Sequence, residues 1–214
     1  MDAAPADTQP LDAAALDAVT VDAYGTLVEL HDPAGSLAAM LPGHERDAIE
    51  RAFRAEAALY VAESHRGADV ASLARLYDDC VAVFNQTLGS GLTAAEYVDA
   101  LDRAYAVLPG VTAALARLRS LGLELAVVGN WDLRLPEHLA RLGLAPFFST
   151  IVSSAEAGAA KPDATPFLLA VDRLGVQTGR AVHVGDSPQD EEGARAAGLR
   201  FAPSPLAALA RRLR

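Results

Sequence analysis

From Pro109 onward the chain alternates amphipathic stretches with short apolar runs, and this alternation constrains the fold more than any other feature. A helical period at Val111, Leu115 and Leu118 leads into the run Leu123–Val128. Leu133 to Leu142 leads into Phe148–Val152, and Phe167 to Leu174 leads into Ala181–Val184. A stretch from Glu191 to Ala197 precedes a short run at Leu199–Phe201, and Leu206 to Leu213 reads as a terminal helix. Short apolar runs between turn residues read as buried strands, and repeated strand–helix units build a parallel sheet covered on both faces. One more run of this kind, Val19-Thr20-Val21, lies far upstream and ends in Asp22-Ala23-Tyr24-Gly25-Thr26, where Gly25 supplies a turn.

Between that first strand and Pro109 the period is helical. Ile49, Phe53 and Tyr60 share one face. Leu73, Leu76, Tyr77, Cys80, Phe84 and Leu88 form a second stripe, and Tyr97, Val98, Leu101, Tyr105 and Leu108 a third. Thr93 with Glu96 reads as a capping box, and turns fall near Arg66–Asp69 and Gly89–Gly91. The expected organisation is a tail over residues 1–16, a main domain from 17–30 and 109–214, and a helical insertion over 31–108.

Lys and Arg number 18 against 28 Asp and Glu, a net charge of -10. Such a balance argues against nucleic acid and anionic membranes as partners. It leaves room for a small anionic substrate, because a local cation overrides the global sign. Cys80 is the single cysteine and lies on an apolar stripe, so it reads as a core thiol. No apolar stretch is long enough to span a bilayer, and the N-terminus lacks the basic and apolar regions of a signal peptide. The expected location is cytoplasmic. His31, His44, His65 and His138 fall in loops or polar helix positions with no metal-ligand spacing, whereas His183 reads as a satisfied strand histidine.

Polar residues stand just beyond the apolar runs, where open α/β sheets place their sites. In order they are Asp22, then Gly129-Asn130-Trp131-Asp132, then Lys161 before Pro162, then Gly185-Asp186-Ser187-Pro188-Gln189-Asp190. Asp22 could serve as nucleophile or metal ligand. Asp186 and Asp190 would bring two more carboxylates to the same sheet end, which is unfavourable without a cation. Asp190 could alternatively cap the helix that follows. Thr26 reads either as a turn-capping hydroxyl or as a donor to a substrate anion. Trp131 reads as lining a pocket mouth or packing against the insertion.

This order and spacing resemble the haloacid dehalogenase superfamily of hydrolases, from about Val19 to the C-terminus. The resemblance implies an α/β, Rossmann-like core with an inserted helical cap over the site. It implies a covalent intermediate on Asp22, neutralisation by Lys161, a role for Asp190, and Mg²⁺ held at Asp22, Tyr24 and Asp186. Tyr24, Thr26, Asn130 and Arg54 would face the substrate. Two positions depart from the pattern. Gly129 replaces the usual Ser or Thr hydroxyl, for which its own N–H or the Asn130 amide could substitute. Tyr24 replaces the second aspartate with which phosphatases of the superfamily protonate the leaving group. Asp22-Ala23-Tyr24-Gly25-Thr26 looks instead like the metal-independent 2-haloacid dehalogenase branch, where halide leaves without a proton and a cap arginine, here Arg54, would hold it. Asp186 points back to the metal-dependent phosphatases. The expectation is Mg²⁺-dependent hydrolysis of a small phosphate ester, with a 2-haloacid dehalogenase or a non-catalytic binding protein as alternatives.

Overall fold

The computed structural model describes residues 13–213. In chain order its elements are β1 (Ala18–Val21), β2 (Val28–Leu30), α1 (Pro33–Ala38), α2 (Arg46–Glu63), α3 (Val70–Leu88), α4 (Ala94–Asp102) and β3 (Tyr105–Val107). There follow α5 (Val111–Ser120), β4 (Glu124–Gly129), α6 (Leu135–Arg141), β5 (Thr150–Ser153), α7 (Ser154–Ala157) and α8 (Thr165–Leu174). The chain closes with β6 (Ala181–Gly185), α9 (Pro188–Ala196), β7 (Arg200–Pro203) and α10 (Leu206–Arg212).

The main sheet is parallel, in the order β5-β4-β1-β6-β7. Every residue of β1 is buried, as a central strand covered on both faces requires. Leu115, Leu118, Leu135, Leu139 and Leu206 pack one face of the sheet, and Phe167, Ala170, Val171 and Ala194 pack the other. The chain leaves β1 towards β4 and β5, then returns to its other side with β6 and β7. That reversal opens a crevice beyond the carboxyl end of β1. Val21 pairs with Val127 on one side and Val184 on the other, so Asp22 emerges level with the ends of both neighbours.

Helices α1 to α4 form a layer with a core of its own around Leu37, Ile49, Phe84 and Tyr97. The chain enters and leaves this layer through an antiparallel ribbon in which Val28 pairs with Val107 and Leu30 with Tyr105. The ribbon corrects the helical reading of Tyr105 and Leu108. α4 stops at Asp102, and the β-prone Tyr105-Ala106-Val107 finds strand partners in β2. The sequence reading also lacked α1, which is too short for a period; its Asp32 cap accepts a hydrogen bond from Gly35 N, and Pro33 opens the first turn. Of the expected tail, residues 1–12 lie outside the described residues, Ala13–Ala15 form a single turn, and Leu16 is buried in the core. Among the described residues no helix is long and apolar enough to cross a membrane.

Candidate active site

Asp22 follows the last residue of β1 and is 5% exposed. Its Oδ1 accepts a hydrogen bond from Lys161 Nζ at 2.5 Å, while its Oδ2 is buried with no partner. Lys161 Nζ also donates to Asp190 Oδ1 at 2.5 Å and to the Val128 carbonyl at 3.1 Å. The lysine is held from its backbone. Asn130 Oδ1 accepts from Lys161 N at 2.7 Å, and Asn130 Nδ2 donates to Lys161 O at 3.1 Å. Asn130 therefore clamps the lysine loop, and its amide is not free to replace a missing hydroxyl. A Cβ at Gly129 would lie 3.2 Å from Ala23 Cβ and 3.3 Å from Leu135 Cδ2, so the backbone there is closely packed between its neighbours.

Asp190 occupies the third position of α9 and is 1% exposed. It completes the capping box of α9 with Ser187 and also reaches Lys161. Its Oδ2 accepts from Ser187 Oγ at 2.6 Å and Ser187 N at 3.1 Å, while its Oδ1 takes Lys161 and His183 Nε2 at 3.1 Å. His183 in turn meets the Thr20 hydroxyl at 2.8 Å through Nδ1. Burial lowers the His183 pKa to about 4, so the ring is neutral, with Nε2–H donating to Asp190 and Nδ1 accepting from Thr20. Asp186 stands on the solvent side of the cluster, directly over Gly25. A Cβ at Gly25 would lie 2.2 Å from Asp186 Oδ2, and Gly25 has φ 80°, so the close approach and the left-handed turn both call for glycine.

Three carboxylates thus face one ammonium, with oxygens of Asp22, Asp186 and Asp190 all within 4.8 Å of one another. Burial pushes the Asp22 carboxyl up to about 7, against the pull of Lys161 and with the charges of Asp190 and Asp186 adding to it. Asp190 goes the other way. Burial alone would raise it, but the His183 hydrogen bond and the Lys161 charge hold it well below the usual carboxylate range. Burial and the Asp190 charge raise Asp186. Lys161 stays protonated despite its burial, because Asp22 and Asp190 flank it.

Tyr24 is half-exposed and lines the mouth of the cavity above Asp22. Thr26 Oγ1 is buried without a partner, so it caps no turn. Arg54 is not brought to the site. Its side chain is 68% exposed and 3.9 Å from Glu50, because α2 turns Ile49, Ala52 and Glu56 inward and leaves position 54 on the outer face.

A continuous cavity of about 280 Å³ runs from the carboxylates up into the helical insertion. Its far wall includes Arg134 and His138, to which the sequence assigned no site role, and Asp132 is buried beside them. Asp132 is fully buried and accepts hydrogen bonds from Tyr60 Oη at 2.8 Å and Tyr77 Oη at 2.6 Å. Arg134 pairs with Asp102 at 3.0 Å and lies over the Tyr77 ring at 5.0 Å. His138, read as a polar helix position, is buried against the rings of Tyr105 and Trp131 at 5.2 and 5.4 Å. The available signal was position: all three follow Asn130 within the loop and helix beyond β4. Trp131 is buried in the cavity wall.

A family model described as haloacid dehalogenase-like hydrolase matches residues 16–198. The chain belongs to the haloacid dehalogenase-like hydrolases. Over 94 residues, 44% of this chain and 38% of the relative, it is 43% identical to a haloacid dehalogenase-like hydrolase domain-containing protein of Bos taurus. Over 101 residues, 46% of this chain and 40% of the relative, it is 44% identical to a phosphoserine phosphatase of Thermus thermophilus. The matched stretches thus span less than half the length of these curated relatives. In structure the chain is similar to L-2-haloacid dehalogenase from Xanthobacter autotrophicus, with 25% identity and a TM-score of 0.73, covering 92% of this chain and 81% of that one.

Proposed function

We propose that this hydrolase cleaves small phosphate monoesters through a phosphoryl group carried on Asp22, with Mg²⁺ as cofactor and residues 31–104 as a cap over the site. The observation that carries this reading is the buried, unpartnered Asp22 Oδ2 beside two further carboxylates, with Lys161 as the one ammonium among them. Such a cluster calls for a hard cation, and its oxygen donors suit Mg²⁺. Asp22 and Asp186 would hold the ion together with the main chain at Tyr24, and Asp190 is engaged in positioning Lys161. Bound there, Mg²⁺ would offset charge on the nucleophile and on the phosphoryl oxygens.

Lys161 orients Asp22 and meets the negative charge of the transferring group. An Asp22 carboxylate oxygen attacks phosphorus, the ester P–O bond breaks, and the leaving oxygen departs with its electron pair. Water then attacks the same phosphorus, breaks the bond to Asp22 and frees inorganic phosphate. Tyr24, whose phenol burial raises further, is a weak proton donor to the departing oxygen at neutral pH. The phosphatase name of the Thermus thermophilus relative supports the reading.

One observation favours a second reading, hydrolysis of 2-haloacids: Tyr24 stands where an acid would be, and halide departs without a proton. The outward-facing Arg54 weighs against it. Phosphate and halide release from phosphate esters and 2-haloacids, with Mg²⁺ and with a chelator, decides between them. Phosphate release that the chelator abolishes supports the first reading; halide release indifferent to the chelator overturns it.

A further inference from the structure

We propose that the group left behind by phosphoryl transfer is neutral, ring-bearing and weakly basic, like a phenol or an enol, and not a carboxylate-bearing or polyhydroxy fragment. The chemistry of transfer rests on the phosphatase reading above; the recognition rests on the cavity alone. Beyond the carboxylates, the cavity is walled by Phe53, Tyr60, Tyr97, Leu101, Tyr105 and Trp131. A dry apolar cavity of about 150 Å³ suffices for a benzene ring. The 280 Å³ here therefore accommodates a ring together with the phosphoryl group.

Apart from the Tyr105 hydroxyl, the polar side chains at that end are engaged with one another. Glu56 accepts from Tyr97 Oη at 2.8 Å, Asp132 takes the hydroxyls of Tyr60 and Tyr77, and Asp102 takes Arg134. Arg134 is flanked by two carboxylates, Asp102 at 3.0 Å and Asp132 at 3.8 Å. A substrate carboxylate at this end would confront Glu56 and Asp102 and a single guanidinium already paired with Asp102 and Asp132. A polyhydroxy fragment would surrender its hydration to aromatic walls with few free partners. A neutral ring needs neither, and stacking on Trp131 and the tyrosines would favour it.

A second and separate observation agrees. With tyrosine at position 24, the site has a poor general acid, and such a site works best on a leaving oxygen that needs little protonation. The aromatic cavity and the missing acid thus point to one substrate class.

The test has a turnover arm and a binding arm. In Mg²⁺, phenyl and naphthyl phosphates are compared with para-carboxyphenyl, glycerol and glycolate phosphates. The para-carboxyphenyl ester has a leaving group of similar reactivity but adds the charge the wall should reject. Desolvation of the added carboxylate is expected to favour phenyl over para-carboxyphenyl phosphate by on the order of 10- to 100-fold in kcat/KM. In the binding arm naphthol and benzoate are titrated against the protein in chelator, following the emission of Trp131, the only tryptophan in the chain. Naphthol should shift the emission and benzoate should not. Ala57→Leu, which narrows the cavity, should weaken naphthol by about tenfold. Equal turnover of phenyl and para-carboxyphenyl phosphates, or benzoate binding as tightly as naphthol, would overturn the proposal. If naphthol binds but no phosphate ester is cleaved, ring recognition stands and the phosphatase reading falls.

Discussion

Replacing Asp22 by Asn should abolish turnover and, in the absence of metal, make the protein more stable. Asp22 is buried and its carboxyl is pushed up to about 7 from an ordinary 3.8, chiefly by loss of hydration. A group raised in the folded state stabilises the fold fully below its unfolded pKa, and that contribution is lost as pH rises through the folded value. The window therefore opens near 3.8 and closes near 7. At about 1.4 kcal/mol per pH unit, an ionised Asp22 costs the fold about 4 kcal/mol by pH 8. Asparagine keeps the shape and removes the charge, leaving Lys161 to Asp190. For a chain of this size each kcal/mol moves Tm by about 2–4 °C, so Asp22→Asn should melt on the order of 10 °C above wild type at pH 8. Below about pH 3.8 the two should converge, since Asp22 is then protonated in the folded and the unfolded wild type alike. The assay is calorimetry in chelator across that range. Adding Mg²⁺ should narrow the gap at pH 8 from the wild-type side, because a ligand at a hundredfold excess over its Kd adds about 2.7 kcal/mol. Coincident melting curves at pH 8 without metal would refute the burial argument.

Asp186→Ala should weaken Mg²⁺ binding by at least about tenfold in isothermal titration, because it removes the one exposed carboxylate of the cluster; an unchanged affinity places the ion elsewhere. Tyr24→Asp should raise turnover of alkyl phosphates more than of aryl ones. A restored general acid contributes up to ~10²–10⁴-fold, and equal gains on both classes would contradict a role in protonating the leaving group. Asn130→Ala removes both bonds to the Lys161 backbone and should cost about 1–3 kcal/mol in denaturant unfolding. Unchanged stability would show that the lysine loop is held by other contacts.

The sheet was legible because its central strands are buried on both sides, so they appear as short, mostly apolar runs whose ends mark the crevice. Asp22, Lys161, Asp186 and Asp190 stand just past such ends or at a helix start, and this position together with their order, which resembles the family's, singles them out. The ribbon was not legible, since Tyr105 continues an apolar stripe and its strand partner Leu30 lies on the far side of the whole insertion. Arg54 shows the limit of periodicity from the other direction. A helical period says that Phe53 and Tyr60 face inward, but whether their neighbour reaches a cavity depends on what packs against the helix. The burial of Asp132 and His138 was not legible, because it depends on partners from distant segments: Tyr60 and Tyr77 of the insertion for Asp132, and Tyr105 for His138.

The two departures from the family pattern acquire different meanings once the neighbours are known. At Gly129 the missing hydroxyl has a packing reason. Ala23 and Leu135 close on the position, and any side chain there must displace one of them by a few tenths of an ångström. The loss is therefore part of how β1 and α6 meet, and Asn130 next to it is already engaged in holding Lys161. Tyr24 has no such reason, since it is half-exposed at the mouth of the cavity with room for smaller residues. What it would change on the phosphatase reading is chemistry: a phenol lines the same cavity as Asp22, where the resemblance leads one to expect an acid. On the phosphatase reading, the glycine at 129 follows from how its neighbours pack, whereas the residue at the open position 24 is free to select leaving groups, so Tyr24→Asp, and not a substitution at Gly129, is the variant that tests which esters the site accepts.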